Sequence, residues 1–311
     1  IYYHHVIDLT HWPDPTSTTI TQYEDELEPS INSISITTYN IQKLTNIAKI
    51  ATFLTHINNK QHHIIILTEF DIAKNSAFEA EFLSFIHTQN YELATSIKKR
   101  VAILVKTTFN IQLLNTDKYS QSFILSTPSQ QHTTDITFKI NHLQITIFGI
   151  YVPVYTSAAS NTITSISQKT FFDEFKQLIP LISSHHLILA GDWNTAPSNI
   201  PTNQQDIQFH TLLHTYSIND IFHLASPKKN KKTFTNIATY PLSTTSNRRL
   251  DRFYSSLSLQ QKININYTTY EKLCFSTHLP INIVCYFKYP TPIKHNVSQT
   301  FHPQTTTIDN R

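Results

Sequence analysis

The chain has 311 residues, 40% of them hydrophobic, with 19 Phe, 15 Tyr and a formal net charge of +3. That apolar content excludes wholesale disorder and is enough for a large core. The small positive charge permits a polyanionic partner without requiring one. No apolar run approaches the ~18 residues of a membrane span, and Ile1 to Thr10 hold no signal-peptide pattern.

Cys274 and Cys285 are the only cysteines. They are too few for a disulfide framework and lack metal-ligand spacing, a usage that points to a reducing compartment, cytosol or nucleus. There are only 2 Gly and no Met. Ile far outnumbers Val, a bias that suggests, as a hypothesis, a coding strand poor in guanine; the base composition of the gene tests it. Glycine-based turn signals are therefore expected to be missing even where the chain needs them.

Residues 1–31 read as a lead-in, with Pro13, Pro15 and Pro29 and the acidic run Glu24 to Glu26. From Ile34 an alternating pattern predicts a strand ending near Asn40. Leu44, Ile47, Ile50, Ala51, Phe53 and Leu54 recur at helical spacing. His63 to Leu67 reads as a buried strand ending at Glu69, and Phe78 to Ile86 as a helix. Strands are expected at 91–96, 101–106, 123–126, 136–140 and 143–151, then a helix over 164–181. His186 to Ala190 is a strand feeding Gly191 and Asp192, and 207–216 a helix. A basic loop, Lys228 to Lys232, follows; its short charge run reads slightly better as a solvated surface than as a phosphate contact. Strands at 249–254, 263–267 and 281–286 complete the series, and the proline-bearing residues 289–311 read as a linker. Strand–helix–strand units among strand pairs predict an α/β class with mixed sheets over one domain, residues 32–288.

Polar residues stand at the ends of these strands: Asn40, Glu69, Tyr151, Asp192 with Asn194, Asp251, and His278 ahead of the last one. Singly, each has an ordinary reading as a cap, a turn or a packing residue. Strand ends are also where rigid elements present side chains to a cleft. Pairs such as His62-His63 and His185-His186 flank strands and need no metal to explain them.

Taken in order, Tyr39-Asn40, Leu67-Thr68-Glu69, Tyr151-Val152-Pro153, Gly191-Asp192-Trp193-Asn194, Leu250-Asp251-Arg252-Phe253 and Thr277-His278-Leu279-Pro280-Ile281 resemble the endonuclease/exonuclease/phosphatase superfamily. The resemblance implies two mixed β-sheets packed face to face and flanked by helices, the DNase I-like four-layer α/β sandwich. It implies a metal-dependent phosphodiesterase in which Glu69 and Asn40 hold Mg²⁺ or Mn²⁺, a hard cation suited to oxygen donors. Asp192 would activate water, Asn194 hold the phosphate, His278 contact its oxygens, Asp251 orient His278 and Tyr151 donate to the phosphate. The stretch from Asp220 to Arg252 is similar to non-LTR retrotransposon endonucleases, which implies DNA as partner, Thr233 and Arg252 near the nucleic acid, and a continuation into a reverse transcriptase. An abasic-site repair nuclease and a degenerate, non-catalytic nucleic-acid-binding domain are the alternatives. Three positions depart from the pattern. Lys43 stands where Gly is common, Val154 where Asn is common, and Thr277 where Asp normally precedes the histidine. The last removes a carboxylate beside the implied metal, so active and weakened enzymes both remain open.

Overall fold

A computed structural model describes residues 32–57, 62–72, 76–95, 99–109, 111–116, 125–140, 142–154, 167–196, 204–222, 240–241, 247–269, 273 and 276–288. Strands β1 (Ser33–Asn40), β2 (Ile64–Thr68), β3 (Tyr91–Leu93), β4 (Val101–Lys106), β13 (Ile263–Thr269) and β14 (Ile281–Phe287) form one sheet in the order β13-β14-β1-β2-β4-β3. Strands β5 (Gln112–Thr116), β6 (Thr133–Ile140), β7 (Leu143–Tyr151), β8 (His186–Asp192), β9 (Ile218–Asp220) and β12 (Asp251–Ser256) form the second, in the order β5-β6-β7-β8-β12-β9. Each sheet is mixed: β1 runs parallel to β2 and β7 parallel to β8, while the other neighbours are antiparallel. A short ribbon, β10 (Tyr240–Pro241) with β11 (Asn247–Arg248), stands apart from both.

The burial pattern builds four layers. Alternate residues of the first sheet, such as Ile34, Ile36, Ile64, Ile66, Val101 and Ile103, pack against Ile136, Phe138, Ile145, Ile147, Ile188 and Phe253 of the second. The outer face of the first sheet is covered by α1 (Ile47–Ile57) and α2 (Ser76–Thr88), with Phe53, Leu54, Phe82 and Ile86 on Ile65, Leu67 and Leu104. The outer face of the second is covered by α4 (Gln168–Ile182) and α5 (Gln204–Thr215), whose Phe171, Phe175 and Phe209 meet Phe148, Leu189 and Trp193. Strands covered on both faces are apolar throughout, which is why β2 reads as a continuous run and not as an alternation. Two short helices, α3 (Thr127–Gln130) and α6 (Leu257–Gln260), complete the described elements.

Local chemistry starts the helices. Asn46 Oδ1 accepts from Lys49 N at 3.1 Å, and Ser167 Oγ accepts from Thr170 N at 3.1 Å, each satisfying a first-turn N–H. In α1 the buried Ile50, Phe53, Leu54 and Ile57 follow the i, i+3, i+4, i+7 stripe.

Some expectations shift. Leu125 and Ser126 lie just ahead of α3 and not in a strand, while β5 is a strand that the sequence pattern passes over. That edge strand exposes Leu113 and Leu114 and carries an irregularity at Leu113/Asn115, so it lacks a clean period of two. β9, only three residues long, was likewise hidden behind the end of α5. Among the described residues no helix is long and apolar enough to cross a membrane. The basic loop, Cys274 and the proline-bearing tail lie outside the described residues.

Both glycines sit where a side chain does not fit. A Cβ on Gly191, at φ +143°, would stand 1.9 Å from the carbonyl oxygen of Ile150 on the parallel neighbour. A Cβ on Gly149 would fall 2.7 Å from Val101 Cγ1 of the opposite sheet. Elsewhere left-handed backbone is carried by residues with side chains, among them Gln42, Lys43, Glu69, Asn90 and Asn194. Lys43, at φ 63°, shows why Gly is favoured at its position.

Candidate active site

Register assembles a row of polar side chains at one edge of the second sheet. Tyr151 pairs with Asp192 across β7 and β8, and Asp251 pairs with Asp192 across β12 and β8. Paired residues project from the same face, here the face toward the first sheet. On that sheet Asn40 pairs with Thr68 across β1 and β2, and Glu69 follows directly. Asn40 lies in step with Ile34, Ile36 and Thr38, so it too faces the intersheet space. Glu69 leaves the strand at φ 51°.

The two edges are joined by hydrogen bonds. Asn40 Nδ2 donates to Asp192 Oδ2 at 2.8 Å, and Tyr151 Oη donates to Glu69 Oε1 at 2.9 Å. Asp192 Oδ1 accepts from the backbone N–H of Asn194 at 3.0 Å, closing an Asx turn. Asn194 Nδ2 donates to Val152 O at 2.7 Å. His278 arrives on the turn before β14: its N–H donates to Ser276 Oγ at 3.1 Å, and that hydroxyl donates to Asn40 O at 2.7 Å. His278 Nδ1 meets Asp251 Oδ2 at 2.7 Å, and Nε2 lies 3.9 Å from Asp192 Oδ2.

Burial and charge set the protonation states. Desolvation pulls the His278 imidazole down, but the charge of Asp251, its hydrogen bond, and the carboxylates of Asp192 and Glu69 outweigh it and raise the pKa to about 9. His278 is thus an imidazolium at neutral pH. Asp192 is raised to about 7 by desolvation and then by Asp251, against the opposing pull of His278, Asn40 and the Asn194 amide. A carboxylate brought near neutral pH beside a ring held in its charged form suits acid–base work.

Asp192, Asp251 and His278 each offer a donor atom within 4.8 Å of the others. Within that trio His278 Nδ1 and Asp251 Oδ2 are already joined to each other at 2.7 Å, and all three side chains are buried. Glu69 offers a hard carboxylate that is only partly buried, beside the amide of Asn40, so these two fit a divalent cation better.

The structure brings together Asn40, Glu69, Tyr151, Asp192, Asn194, Asp251 and His278. Thr233 lies outside the described residues. Arg252 is corrected from a substrate contact to an internal brace: it is 0% exposed, and its guanidinium donates to Thr195 O at 2.9 Å, Ala196 O at 3.0 Å and Thr195 Oγ1. A paired strand position turns it to the face opposite Asp251. Two residues before Asp251, buried Arg249 pairs with Asp220 at 3.1 and 2.5 Å and fixes the start of β12.

Three residues escaped the sequence reading. Gln42 brackets Thr277, with Nε2 donating to Thr277 Oγ1 at 2.5 Å and Oε1 accepting from Thr277 N at 3.1 Å. Arg100 stands over the Tyr151 ring, 4.4 Å from its centroid, and Asp71 holds that arginine. Nothing in the short basic run carrying Arg100 announces a ring contact. Val154 is open to solvent at 56% exposure.

A search of curated protein sequences finds no match. Solved structures do match. The endonuclease domain of TRAS1, a telomere-specific non-LTR retrotransposon, is 12% identical, with a TM-score of 0.53 over 82% of this chain and 99% of that one. The AP endonuclease LMAP from Leishmania major is 12% identical, with a TM-score of 0.61 over 87% of this chain and 92% of that one. The 3′ phosphatase NExo from Neisseria, bound to a product DNA hairpin, is 14% identical, with a TM-score of 0.54 over 82% of this chain and 100% of that one. At such identities the likeness establishes the DNase I-like fold and not an activity. The family model described as Endonuclease/Exonuclease/phosphatase family matches residues 37–263, most of the described chain. On that match the chain belongs to the endonuclease/exonuclease/phosphatase family.

Proposed function

We propose that the protein is a metal-dependent phosphodiesterase that nicks DNA, the endonuclease of a non-LTR retrotransposon. The observation that carries this reading is the Asp251–His278–Asp192 arrangement beside the Glu69–Tyr151 pair, each of which bridges the two sheet edges. Glu69 and Asn40 would hold Mg²⁺ or Mn²⁺, which when bound supplies positive charge against the scissile phosphate and the leaving oxygen.

The chain's own groups divide the remaining work. Asp192, oriented by Asn40 and the Asn194 amide, takes a proton from the attacking water. The His278 imidazolium, held by Asp251, offers its Nε2–H to a non-bridging oxygen, where negative charge grows in the transition state. Tyr151 donates from the other side, and Asn194 lines the phosphate position. The likeness to the TRAS1 endonuclease domain supports the retrotransposon assignment, and the DNA-bound NExo structure supports DNA as partner. On this reading the catalytic domain spans residues 32–288, works in the nucleus or cytoplasm, and connects to a reverse transcriptase.

A second reading, an abasic-site repair nuclease, draws on the likeness to LMAP over 87% of this chain. A plasmid-nicking assay with Mg²⁺, with chelator, and on abasic DNA separates them. Metal-dependent nicking of intact plasmid supports the first reading. Cleavage confined to abasic plasmid supports the second, and no cleavage of either sinks both.

A further inference from the structure

Tyr151 has surroundings built from well beyond its own strand. The Arg100 guanidinium stands 4.4 Å from its ring centroid, and His132 stacks on it at 5.4 Å with an interplanar angle of 13°. Burial, and then Arg100, lower the His132 pKa to about 4, so this neighbour is a neutral ring at working pH. Arg100 is itself fixed. Its Nε meets Asp71 Oδ1 at 3.0 Å and its Nη2 meets Asp71 Oδ2 at 3.1 Å, a two-point grip. The Arg100 carbonyl also accepts from Phe70 N at 2.8 Å.

These contacts close on themselves. Glu69, Phe70 and Asp71 are consecutive, so one turn carries both the carboxylate that accepts from Tyr151 and the carboxylate that grips Arg100. We propose that Arg100 is a positioning residue for the reaction, acting through Tyr151: it fixes the phenol and strengthens its hydroxyl as a donor. This rests on the nuclease reading above. A cation over an aromatic face is attracted to the ring quadrupole and draws electron density from the hydroxyl. The guanidinium, gripped at two points by Asp71, is held over the ring by a fork that a lysine ammonium lacks. Asp71 returns a negative charge to the same turn, so Arg100 does not cancel the pull of Glu69 on a cation.

The test is a pair of double-mutant cycles with a spectroscopic readout. Arg100→Lys and Asp71→Asn are each made in the parent and in Tyr151→Phe. Nicking kcat and KM are measured, and thermal melts establish that each variant folds. We expect Arg100→Lys to lower kcat roughly threefold to thirtyfold, the span between an exposed and a desolvated cation–π contact, with KM little changed. Asp71→Asn gives a smaller loss in the same direction. Both losses shrink below about twofold in the Tyr151→Phe background, because residues acting as a unit are not additive. Equal losses in both backgrounds, or a raised KM with a shallower salt dependence of binding, would mean that Arg100 touches DNA directly and would overturn the proposal. So would no loss at all.

The second readout needs no activity. In protein labelled with 3-fluorotyrosine, the Tyr151 resonance is identified by its disappearance in Tyr151→Phe. It should shift in Arg100→Lys and in Asp71→Asn, and an unchanged resonance overturns the proposal. A shifted resonance with no nicking in the parent would discard the nuclease reading and leave the hold of Arg100 on Tyr151 standing.

Discussion

Asp251 and His278 belong to opposite sheets, the first opening β12 and the second preceding β14, and they meet at 2.7 Å with both side chains buried. The contact makes a prediction about stability as well as chemistry. The His278 pKa in the folded state is about 9, above its ordinary 6.5. A group raised on folding adds stability that is fully present below its unfolded pKa and is lost as pH rises through the folded one. Urea midpoints in chelator should therefore fall between about pH 6 and about pH 10 by more in the parent than in Asp251→Asn. Parallel curves for the two proteins would remove the imidazolium from the account.

At Asp192 the charged form is the disfavoured one, and the pH dependence has the same sign. Burial and Asp251 raise its pKa to about 7, so ionised Asp192 penalises the folded state. The penalty grows as pH climbs above the ordinary carboxylate range and is absent below it. Asp192→Asn should nick DNA at least roughly a hundredfold more slowly, the scale of lost acid–base catalysis. In chelator at about pH 8 it should be no less stable than the parent, and the difference should narrow toward about pH 4. Parental nicking by this variant would place the water elsewhere.

Glu69→Gln keeps the shape and one acceptor for Tyr151 while removing the charge. Calorimetric affinity for Mg²⁺ or Mn²⁺ should drop by roughly tenfold to a hundredfold or more, since removing even the partners of ligands costs that much. An unchanged isotherm would relocate the cation to another donor set.

Thr277 offers a neutral hydroxyl that Gln42 already holds. Thr277→Asp keeps an acceptor for the Gln42 amide and adds a carboxylate beside the site. The Mg²⁺ concentration for half-maximal nicking should fall, and the rate should rise. Superimposable titrations of an active parent would show that Thr277 is a neutral replacement.

Backbone conformation gives an independent check on the fold. Gly191→Ala sets a Cβ against the Ile150 carbonyl at 1.9 Å and should prevent folding. Lys43→Gly should stabilise by roughly 1 kcal/mol, because the left-handed backbone at φ 63° disfavours any Cβ. Thermal unfolding of both variants checks the pair.

Much of the architecture could be read from the sequence because strands buried on both faces are apolar runs with a polar residue where each run stops. Asn40, Glu69, Tyr151 and Asp192 were marked that way, and the structure brings all four to facing sheet edges. Long-range pairings carry no such mark. The grip of Asp71 on Arg100 spans 29 residues and that of Gln42 on Thr277 spans 235, and neither leaves a local signature. Arg252 was misplaced for a related reason. A cation beside a site residue reads as a ligand contact until the pleat shows it facing the other way, braced on the carbonyls of Thr195 and Ala196. β5 was lost because an irregular, half-exposed edge has no period to detect.

The pairing of β1 with β14, which sets Ser33 opposite Tyr286, has a consequence in time. Asn40 and Glu69 are synthesised early, but His278 reaches them only when the late strand β14 docks beside β1. Contacts so distant along the chain form late in folding. A ribosome partway through this message thus carries a chain whose acidic half-site has no imidazolium. Any chain that stops short of β14 therefore lacks the ring that the complete fold sets against Asp251 and beside Asn40.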